Sequence, residues 1–234
     1  MPLALAQQSD DGVENLFDLS LEDLMGITVV SARKRLENIQ EIPVSVTNYS
    51  DKELAARKID NISQIAASTP NLVFDSTTPI SGSNSASSVF IRGVGQTDFT
   101  LVTDPGVGLY IDGVYVARAV GGVINLIDVE RVEVLRGPQG TLFGKNTIGG
   151  AINIISKRPT DTLGGAVEMT TGTDNRIDLI ASINLPVTQD LSLRLSYANL
   201  NQDGYVENHS GGPNLSDTDA QIGRLVAAYE PNTV

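Results

Sequence analysis

The side chains of this sequence that could carry chemistry include a lysine that follows a glycine-rich turn. Gly140 and Gly144 precede Lys145, an arrangement similar to that of a phosphate-binding loop. The spacing is one residue too short for such a loop, and Asn146 stands where a serine or threonine would ligate magnesium. Nucleotide binding is therefore not expected, and we interpret Lys145 as a structural charge.

Acidic residues and histidine supply no better candidate for a catalytic or metal site. Asp98, Asp104 and Asp112 do not follow the ligand spacing of a calcium-binding loop, so we interpret them as solvated carboxylates in turns. His209 is the only histidine and the chain has no cysteine, which argues against a zinc site or a catalytic triad. We expect neither an enzyme nor a bound cofactor.

The composition is typical of a chain rich in strands and turns. Hydrophobic residues make up 41% of the 234 residues, valine and isoleucine are frequent, and there are 22 glycines. The 28 acidic residues outnumber the 16 basic ones, and the resulting net charge of -12 argues against nucleic-acid binding. No apolar run approaches the ~18 residues that indicate a transmembrane helix.

The glycine-rich turn lies within a strand–bend–strand unit at residues 128–159. Val129, Val132 and Val134 mark an alternating strand, and a second strand is predicted over residues 151–156. The bend between them is rich in glycine, which a chain uses where φ is positive or where another backbone comes close. We therefore predict a tight, packed bend.

Helix and hairpin signals precede this unit. Ser50 begins a capping box and so predicts a helix through about Arg57, and a second helix is predicted over residues 62–68. Asp112 and Gly113, between β-branched and aromatic residues, predict a hairpin with a type I′ turn. Together these elements predict a compact α+β domain with a small mixed sheet and short helices.

After Pro159 the sequence alternates between apolar and polar residues, which predicts four strands. The predicted strands are residues 165–170, 176–185, 191–198 and 223–230. Such alternation fits a soluble antiparallel sheet with one face on a core. It fits equally well the strands of a transmembrane β-barrel, each of ~9 to 11 residues. Four strands cannot close a barrel, so the second interpretation makes this chain a truncated barrel and part of a longer protein.

The N-terminal residues carry two further signals. Ala4, Leu5 and Ala6 resemble a signal-peptide cleavage site, so we interpret residues 1–6 as the remnant of an export signal. The β-prone run at residues 26–34 predicts a short strand. That strand is either an ordinary edge strand or a segment that adds to the sheet of a partner protein.

Several motifs of this chain are similar to those of one known family. The N-terminal part contains the segments VFIRGVG and DPGVGLYIDGVYVAR, and the most specific motif follows them: VERVEVLRGPQGTLFGKNTIGGAINIISKRP. The later segment reads LGGAVEMTTGTDNRIDLIASINLPVTQDLSLRLSYANLNQDGYVEN. The first three resemble the plug domain, and the last resembles the first barrel strands, of the TonB-dependent outer-membrane receptors. The resemblance spans essentially the whole chain.

The resemblance implies an α+β plug domain followed by antiparallel transmembrane β-barrel strands, in which the plug sits inside a barrel of about 22 strands. It divides the chain into the export-signal remnant (1–6), a periplasmic N-terminal arm (7–36), the plug (37–160) and the first four strands of a truncated barrel (161–234). The implied location is the outer membrane of a Gram-negative bacterium, with the arm in the periplasm.

A partner-binding segment in the arm follows from the same resemblance. The positions that match the TonB box of the family are Ile27, Thr28, Val29, Val30 and Ser31. They are expected to pair with the energy-coupling protein TonB of the inner membrane. Strand addition suits this role, because backbone hydrogen bonds transmit a pulling load with few demands on sequence.

Two more sets of residues are implied. Plug charges of the family face charges of the barrel wall or one another, and the matching residues are Glu133, Arg136 and Arg92, the last in a strand predicted over residues 89–94. Ligand contacts in the family come from plug apices and outer loops. The corresponding candidates are Ser83, Asn84, Gln96, Asp98 and Phe99.

The function that the resemblance implies is energised uptake of a scarce, large solute, most often a ferric siderophore. Oligosaccharide or cobalamin receptors share the same signatures, and a soluble periplasmic signalling module built on the plug is the alternative from another class. The implied partners are TonB, outer-membrane lipid and an extracellular ligand, with no nucleic acid.

Overall fold

The computed structural model describes residues 28–30, 36–38, 44–75, 88–97, 104–117, 124–209 and 211–231. The predicted export-signal remnant and most of the N-terminal arm lie outside these residues. The strands are β1 Thr28–Val30, β2 Leu36–Asn38, β3 Ser45–Ser50, β4 Leu72–Asp75, β5 Ser88–Ile91, β6 Val94–Gly95, β7 Val107–Ile111, β8 Val114–Val116, β9 Val129–Arg136, β10 Gly150–Ser156, β11 Gly164–Thr171, β12 Ile177–Pro186, β13 Leu191–Gln202 and β14 Thr218–Tyr229.

The helices of the described ranges are short. They are α1 Asp51–Ala56, the 3₁₀ helix Ile62–Ser68 and α2 Gly140–Phe143. The predicted capping box is present at α1, where the Ser50 side chain accepts from the backbone of Glu53 and the Glu53 side chain bonds back. No helix among the described residues has the length and apolar character that crossing a membrane requires.

The described residues from 44 to 157 form the predicted α+β domain. Its central sheet has the strand order β3-β9-β10-β7-β8, in which β10 runs parallel to β7 and the other pairs are antiparallel. A smaller sheet, β4-β5-β6, lies beside it. The mixed small sheet with short helices therefore has the predicted fold class.

The core of this domain forms on one face of the central sheet. Val132 and Val134 of β9 pack with Ile152 of β10 and with Ile62 and Ile65 of the 3₁₀ helix, and all five side chains are buried. The 3₁₀ helix begins at a capping box in which the Asn61 side chain accepts from the Ser63 N–H. Burial of these aliphatic side chains is the main favourable term that holds the helix to the sheet.

The prediction of one continuous strand over residues 89–94 is wrong, because the chain reverses within it. β5 ends at Ile91, and Arg92 and Gly93 have φ values of 53° and 77°, so the chain turns there and returns as β6. Ile91 pairs with Val94 across this turn. Positive φ at consecutive residues reverses a strand, and the glycine adopts it without steric cost.

The second part of the chain is a four-stranded antiparallel sheet in the order β11-β12-β13-β14, which we call the wall. Its strands lie where the sequence predicts them, but β14 begins at Thr218, earlier than the predicted residue 223. The connection from β12 to β13 is short (187–190), and that from β13 to β14 is long (203–217).

The two faces of the wall have the opposite polarity from a soluble sheet on a core. The face turned away from the α+β domain exposes large apolar side chains, including Val167, Leu195 and Leu225. The face turned toward that domain carries buried polar side chains, among them Asn184 and Ser196. Apolar residues outside and polar residues inside are the pattern of barrel strands in a membrane, so the soluble-sheet interpretation is wrong.

The glycine bend is tightest where it rejoins the sheet. A Cβ at Gly150, whose φ is 152°, would lie 2.3 Å from the Leu135 carbonyl oxygen and 2.8 Å from Ile91 Cδ1. The predicted close packing therefore applies at Gly150. It does not apply at Gly140, which has open space around its Cα and no positive φ.

Replacing Gly150 with alanine should therefore lower the free energy of unfolding by roughly 2 kcal/mol or more, because backbone atoms must move to admit the Cβ. Calorimetric unfolding of the purified protein measures the change. Gly140→Ala is the matched control and should leave the unfolding temperature nearly unchanged. Equal effects of the two substitutions would contradict this packing of the bend.

Candidate functional site

A buried carboxylate joins the α+β domain to the wall. Asp128 lies directly before β9 with a φ of 52°, and its side chain is only 5% exposed. Arg194 of β13 donates from Nε to Asp128 Oδ2 at 2.7 Å and from Nη2 to Oδ1 at 2.5 Å. Ser196 Oγ makes a further short hydrogen bond to Oδ2. This bidentate contact fixes both the position and the orientation of the carboxylate.

A second arginine of the wall extends this contact to β10. Arg224 of β14 donates from Nη2 to the Asp128 carbonyl oxygen at 2.7 Å and lies 3.3 Å from its Oδ2. Its Nη1 makes a short hydrogen bond to Ser156 Oγ, at the last residue of β10. The Lys157 N–H also donates to the Asp128 carbonyl, at 3.0 Å. The start of β9 and the end of β10 are thus tied to the same place on the wall.

The register of the wall brings these side chains together. Arg194 and Ser196 are two residues apart on β13, so they point to the same face. Ser196 pairs with Arg224 of β14 and with Ser182 of β12, and Arg194 Nη2 also donates to Ser182 Oγ at 3.4 Å. We call Asp128, Ser156, Arg194, Ser196 and Arg224 the Asp128 cluster.

The Asp128 carboxylate stays charged in this environment. Burial raises the pKa of the Asp128 carboxyl, but hydrogen bonds from Arg194 and Ser196 and the charges of Arg194 and Arg224 outweigh burial. The net result is a pKa below the ordinary value of 3.8. An ionised, multiply hydrogen-bonded carboxylate offsets the unfavourable desolvation of the arginines that face it.

Next to the cluster the contact is apolar. Ile127 packs on Ala198 and Leu200 of β13, with Ile180, Ala220 and Ile222 partly buried against them. Ile127, Ala198 and Leu200 are buried. One residue of the chain therefore supplies an apolar anchor and the next supplies the ionic one.

Two further contacts lie on either side of the cluster, one between the wall and the linker that follows the domain and one between the wall and the domain itself. Asn184 of β12 accepts from the Thr160 N–H at 2.8 Å and donates to the Thr160 carbonyl at 2.8 Å, and it also bonds the Thr162 carbonyl. At the other end, Arg176 Nη2 donates to Asp60 Oδ2 at 3.2 Å, while its Nε donates to Asp178. The Asp60 pair is more exposed and so holds less strongly than the buried cluster.

The charges that the sequence singled out lie elsewhere in the domain. Glu133 is fully buried and accepts from Arg131 Nε at 2.8 Å and from Asn153 Nδ2 at 3.4 Å. Arg136 donates to the Pro70 carbonyl at 3.4 Å, and Arg92 is exposed at the turn between β5 and β6. Their contact with charges of a barrel wall stays a prediction, because none of the described contacts joins these three residues to the four wall strands.

The remaining predicted residues are only partly within the described structure. Thr28, Val29 and Val30 of the predicted TonB box form β1, whose backbone pairs with β2, and Ile27 and Ser31 lie outside the described residues. Gln96 follows β6 and is half-buried. Four of the ligand candidates also lie outside the described residues: Ser83, Asn84, Asp98 and Phe99.

The residues that resembled chemical sites have structural contacts. Lys145 pairs with Asp104 at 2.5 Å, and Asp112 accepts from the Ser156 N–H at 2.8 Å. Within the described ranges no three His, Asp or Glu side chains lie close enough together to hold a metal ion.

An α+β domain fastened to the polar face of antiparallel strands, whose other face is apolar and exposed, defines the class of plugged outer-membrane barrels. The family described as the TonB-dependent receptor plug domain matches residues 38–151. The chain belongs to the TonB-dependent outer-membrane receptors.

Relatives match along nearly the whole chain. The pesticin receptor of Yersinia pestis is 32% identical over 237 residues, which cover 99% of this chain and 33% of the relative. The crystal structure of the ferric yersiniabactin uptake receptor FyuA from Yersinia pestis superposes with a TM-score of 0.72 at 30% identity, over 81% of this chain and 29% of that one. The chain thus spans about a third of the length of the relatives it matches.

A more distant structure shares the fold. The pyoverdine outer-membrane receptor FpvA from Pseudomonas aeruginosa PAO1 superposes with a TM-score of 0.69 at 20% identity, covering 88% of this chain and 28% of that one. All three relatives are named as receptors, and FyuA is named as an uptake receptor.

The Asp128 cluster is the part of this site that sequence reasoning missed. Arg194 and Arg224 were visible as charges on the polar faces of alternating strands, and Asp128 as an acidic residue before a strand. Opposite charges at such positions could have indicated ion pairs between the domain and the wall. Their pairing across 66 and 96 residues, however, depends on how the domain sits on the wall.

The lowered pKa of Asp128 predicts a pH-dependent contribution to stability. A depressed pKa contributes stability that is fully present above the unfolded value, near 3.8, and is lost as pH falls through the folded value. Asp128→Asn should therefore lower the free energy of unfolding at pH 7 by roughly 3 kcal/mol, since it leaves two partly buried arginines without a counter-charge. The difference between variant and parent should shrink below about pH 4, as measured by calorimetry from pH 7 to 3.

Asp104→Asn is the matched control, because Asp104 forms an exposed pair with Lys145. It should change stability little at any of these pH values. A constant deficit of the Asp128 variant down to the lowest pH would contradict the assignment of a charged carboxylate to the cluster.

Proposed function

We propose that the protein containing this chain takes up a ferric siderophore across the outer membrane by energised, TonB-dependent transport. The observation that supports this most strongly is the α+β domain held against the polar face of the wall, with the apolar face outward. In such an arrangement the domain blocks the lumen of a barrel, and passage of a large solute requires the domain to be moved.

The connections of the wall give it an orientation. Outer-membrane barrels have short turns on the periplasmic side and longer loops outside. The 187–190 turn then faces the periplasm, and the 203–217 loop faces outward. Asn184 and Thr160 therefore lie toward the periplasm, and the Arg176–Asp60 pair lies toward the outside. The Asp128 cluster lies between these contacts.

The arm that carries the TonB box suits a pulling partner. Thr28–Val30 is extended and, within the described residues, has β2 as its single neighbour. An extended strand with an open edge supports addition of a strand from another protein. Residues 27–31 also lie N-terminal to β2 and β3, so a pull on this segment reaches the domain through these two strands.

We assign ligand contacts to the candidate residues of the plug and to the outward loop of the wall. Gln96 and the neighbouring candidates Asp98 and Phe99, together with Ser83 and Asn84, lie in or beside segments between strands of the domain. Loops on a rigid scaffold commonly supply binding residues. The loop at 203–217 carries further polar and acidic side chains.

A ferric siderophore is the substrate class that the relatives favour. The structure of FyuA is described as that of a ferric yersiniabactin uptake receptor, and it matches plug and wall together. Radiolabelled iron uptake tests the proposal directly. A strain that lacks other siderophore receptors and expresses the complete reading frame is supplied with a panel of ferric siderophores, ferric yersiniabactin among them, with cobalamin and an oligosaccharide mixture as competing classes.

We expect uptake of one ferric siderophore, and we expect this uptake to depend on TonB and on the proton gradient. If only cobalamin or oligosaccharide is taken up, the proposed substrate class is wrong and the proposed transport mechanism is retained. Binding without energised uptake of any of these solutes would overturn the proposed function and favour a signalling module.

A proline in the TonB box should separate binding from transport. Val29→Pro removes a backbone N–H from β1 and so prevents strand pairing with a partner. We expect uptake to fall to the level seen without TonB, while the ferric siderophore binds to whole cells with unchanged affinity.

Val29→Thr is the matched control, because threonine keeps the N–H and is also favoured in strands. Uptake by this variant should remain. Retention of uptake in proline variants at several positions from 27 to 31 would show that this segment is not the TonB box.

A further inference from the structure

An open trench crosses the outward, apolar face of the wall. Its lining comes from residues 163–167, residues 181–183, Leu195 and Tyr197, so it extends over β11, β12 and β13. Its volume is about 600 Å³. Sites for small molecules have volumes of ~300–1,000 Å³, so the trench is large enough to hold part of a chain-like ligand.

Two small residues form the floor of the trench. Gly165 of β11 pairs with Ile183, and Ala181 of β12 pairs with Val167, so the two small residues are diagonal neighbours on the outward face. A Cβ at Gly165 would lie 2.8 Å from the Ser182 carbonyl oxygen. The close approach of β11 and β12 therefore requires a residue without a side chain at this position, and that residue leaves a depression in the surface.

The sides of the trench are apolar. Val167 and Ile183 stand beside the floor, and Leu195 and Tyr197 continue the surface on β13. Ser182 also borders the trench, but its hydroxyl bonds to the Asp128 cluster on the opposite face of the wall. No charged side chain lines the trench. Its occupant is therefore expected to be apolar and uncharged along the part that it buries.

The trench lies in the periplasmic half of the wall. On β11 it begins at Leu163, beside the periplasmic end, and on β13, which runs from Leu191 to Gln202, it ends at Tyr197, about halfway along the strand. A barrel strand crosses the hydrocarbon layer with ~9–11 residues, so the middle of β13 lies near the centre of the bilayer. The trench therefore spans the depth of the acyl chains of the periplasmic leaflet, which consists of phospholipid.

Packing explains why one chain would occupy this place in preference to the lipid around it. Lipid surrounds the whole outward face, so van der Waals packing, and not the hydrophobic effect, selects what lies against each part of it. A depression that no side chain fills loses dispersion contacts unless a flexible apolar group enters it. An acyl chain is a group of this kind, and Val167 at 74% exposure offers it a side to pack against.

We propose that the trench binds one acyl chain of a phospholipid from the periplasmic leaflet of the outer membrane. The chain lies over Gly165 and Ala181 and packs between Val167 and Ile183. This inference goes beyond the proposed uptake. It uses the orientation of the wall given above, but it does not depend on the solute that the receptor carries.

Photo-crosslinking in reconstituted membranes tests the site. The complete receptor is reconstituted into phosphatidylethanolamine vesicles that contain a small share of the same phospholipid with a diazirine in one acyl chain. After illumination, mass spectrometry of peptides locates the labelled residues. We expect labelling to be concentrated on residues 163–167 and 181–183, with much less on the outward residues of β14, such as Leu225.

A pair of matched variants makes the test specific. Ala181→Leu puts a larger side chain on the floor of the trench and should lower the labelling of residues 163–167 by about threefold, the factor expected when several carbon–carbon contacts with the chain are lost. Ala227→Leu adds the same group to the outward face of β14, outside the trench, and should leave that labelling unchanged. Both variants keep an apolar outward side chain, so both should assemble.

Three results would overturn the inference. Even labelling along all outward positions of the wall would show that only ordinary surrounding lipid covers it. Stronger labelling of the trench by lipid A that carries the same diazirine would show that the periplasmic phospholipid is the wrong source. Disulfide-linked receptor dimers formed through Val167→Cys would show that a second copy covers the trench. None of these results bears on siderophore uptake, so the proposed function is tested separately.

Discussion

The ionised carboxylate of Asp128, buried between two arginines of neighbouring wall strands, is the interaction on which the rest of this structure depends. Each partner is stable in this place only while the others are present, because an unpaired charge in a buried site is strongly unfavourable. The cluster therefore determines where β9 begins on the wall. The positions of β10 and β3 follow from their register with β9. Buried ion pairs often add little net stability, and their value here lies in fixing one seating of the plug.

The polarity of the wall follows from the same constraint. A sheet that presents Arg194, Ser196 and Arg224 to a plug must turn its alternate residues the other way, and those residues are apolar and exposed. Lipid is the environment that suits them. The contact surface varies along its length, with Ile127 on an apolar patch beside the cluster, the buried Asn184 at one end and the more exposed Arg176–Asp60 pair at the other. Such a surface holds the plug most loosely at the exposed Arg176–Asp60 pair.

Much of the fold could be predicted from the sequence, because it is encoded locally. The capping box at Ser50, the Asp112-Gly113 turn and the alternation after Pro159 each depend on residues close in sequence. The turn at Arg92 was missed because an apolar run on both sides of it reads as one strand, and only the positive φ values reveal the reversal. The Asp128 cluster was missed for a different reason. It joins residues from three strands and a turn. Resemblance to a family identifies charged residues by their place in a motif, but it does not identify the residue that each one contacts.

The anchoring role of the cluster requires that Asp128 and Arg194 act as a pair. A double-mutant cycle with Asp128→Asn, Arg194→Gln and the double variant, followed by calorimetric unfolding of the complete receptor at neutral pH, measures their coupling. For a charge-assisted, buried pair the account predicts a coupling free energy of about 1.5 kcal/mol or more. Additive effects, within about 0.5 kcal/mol, would contradict it and remove the cluster as the anchor of the plug.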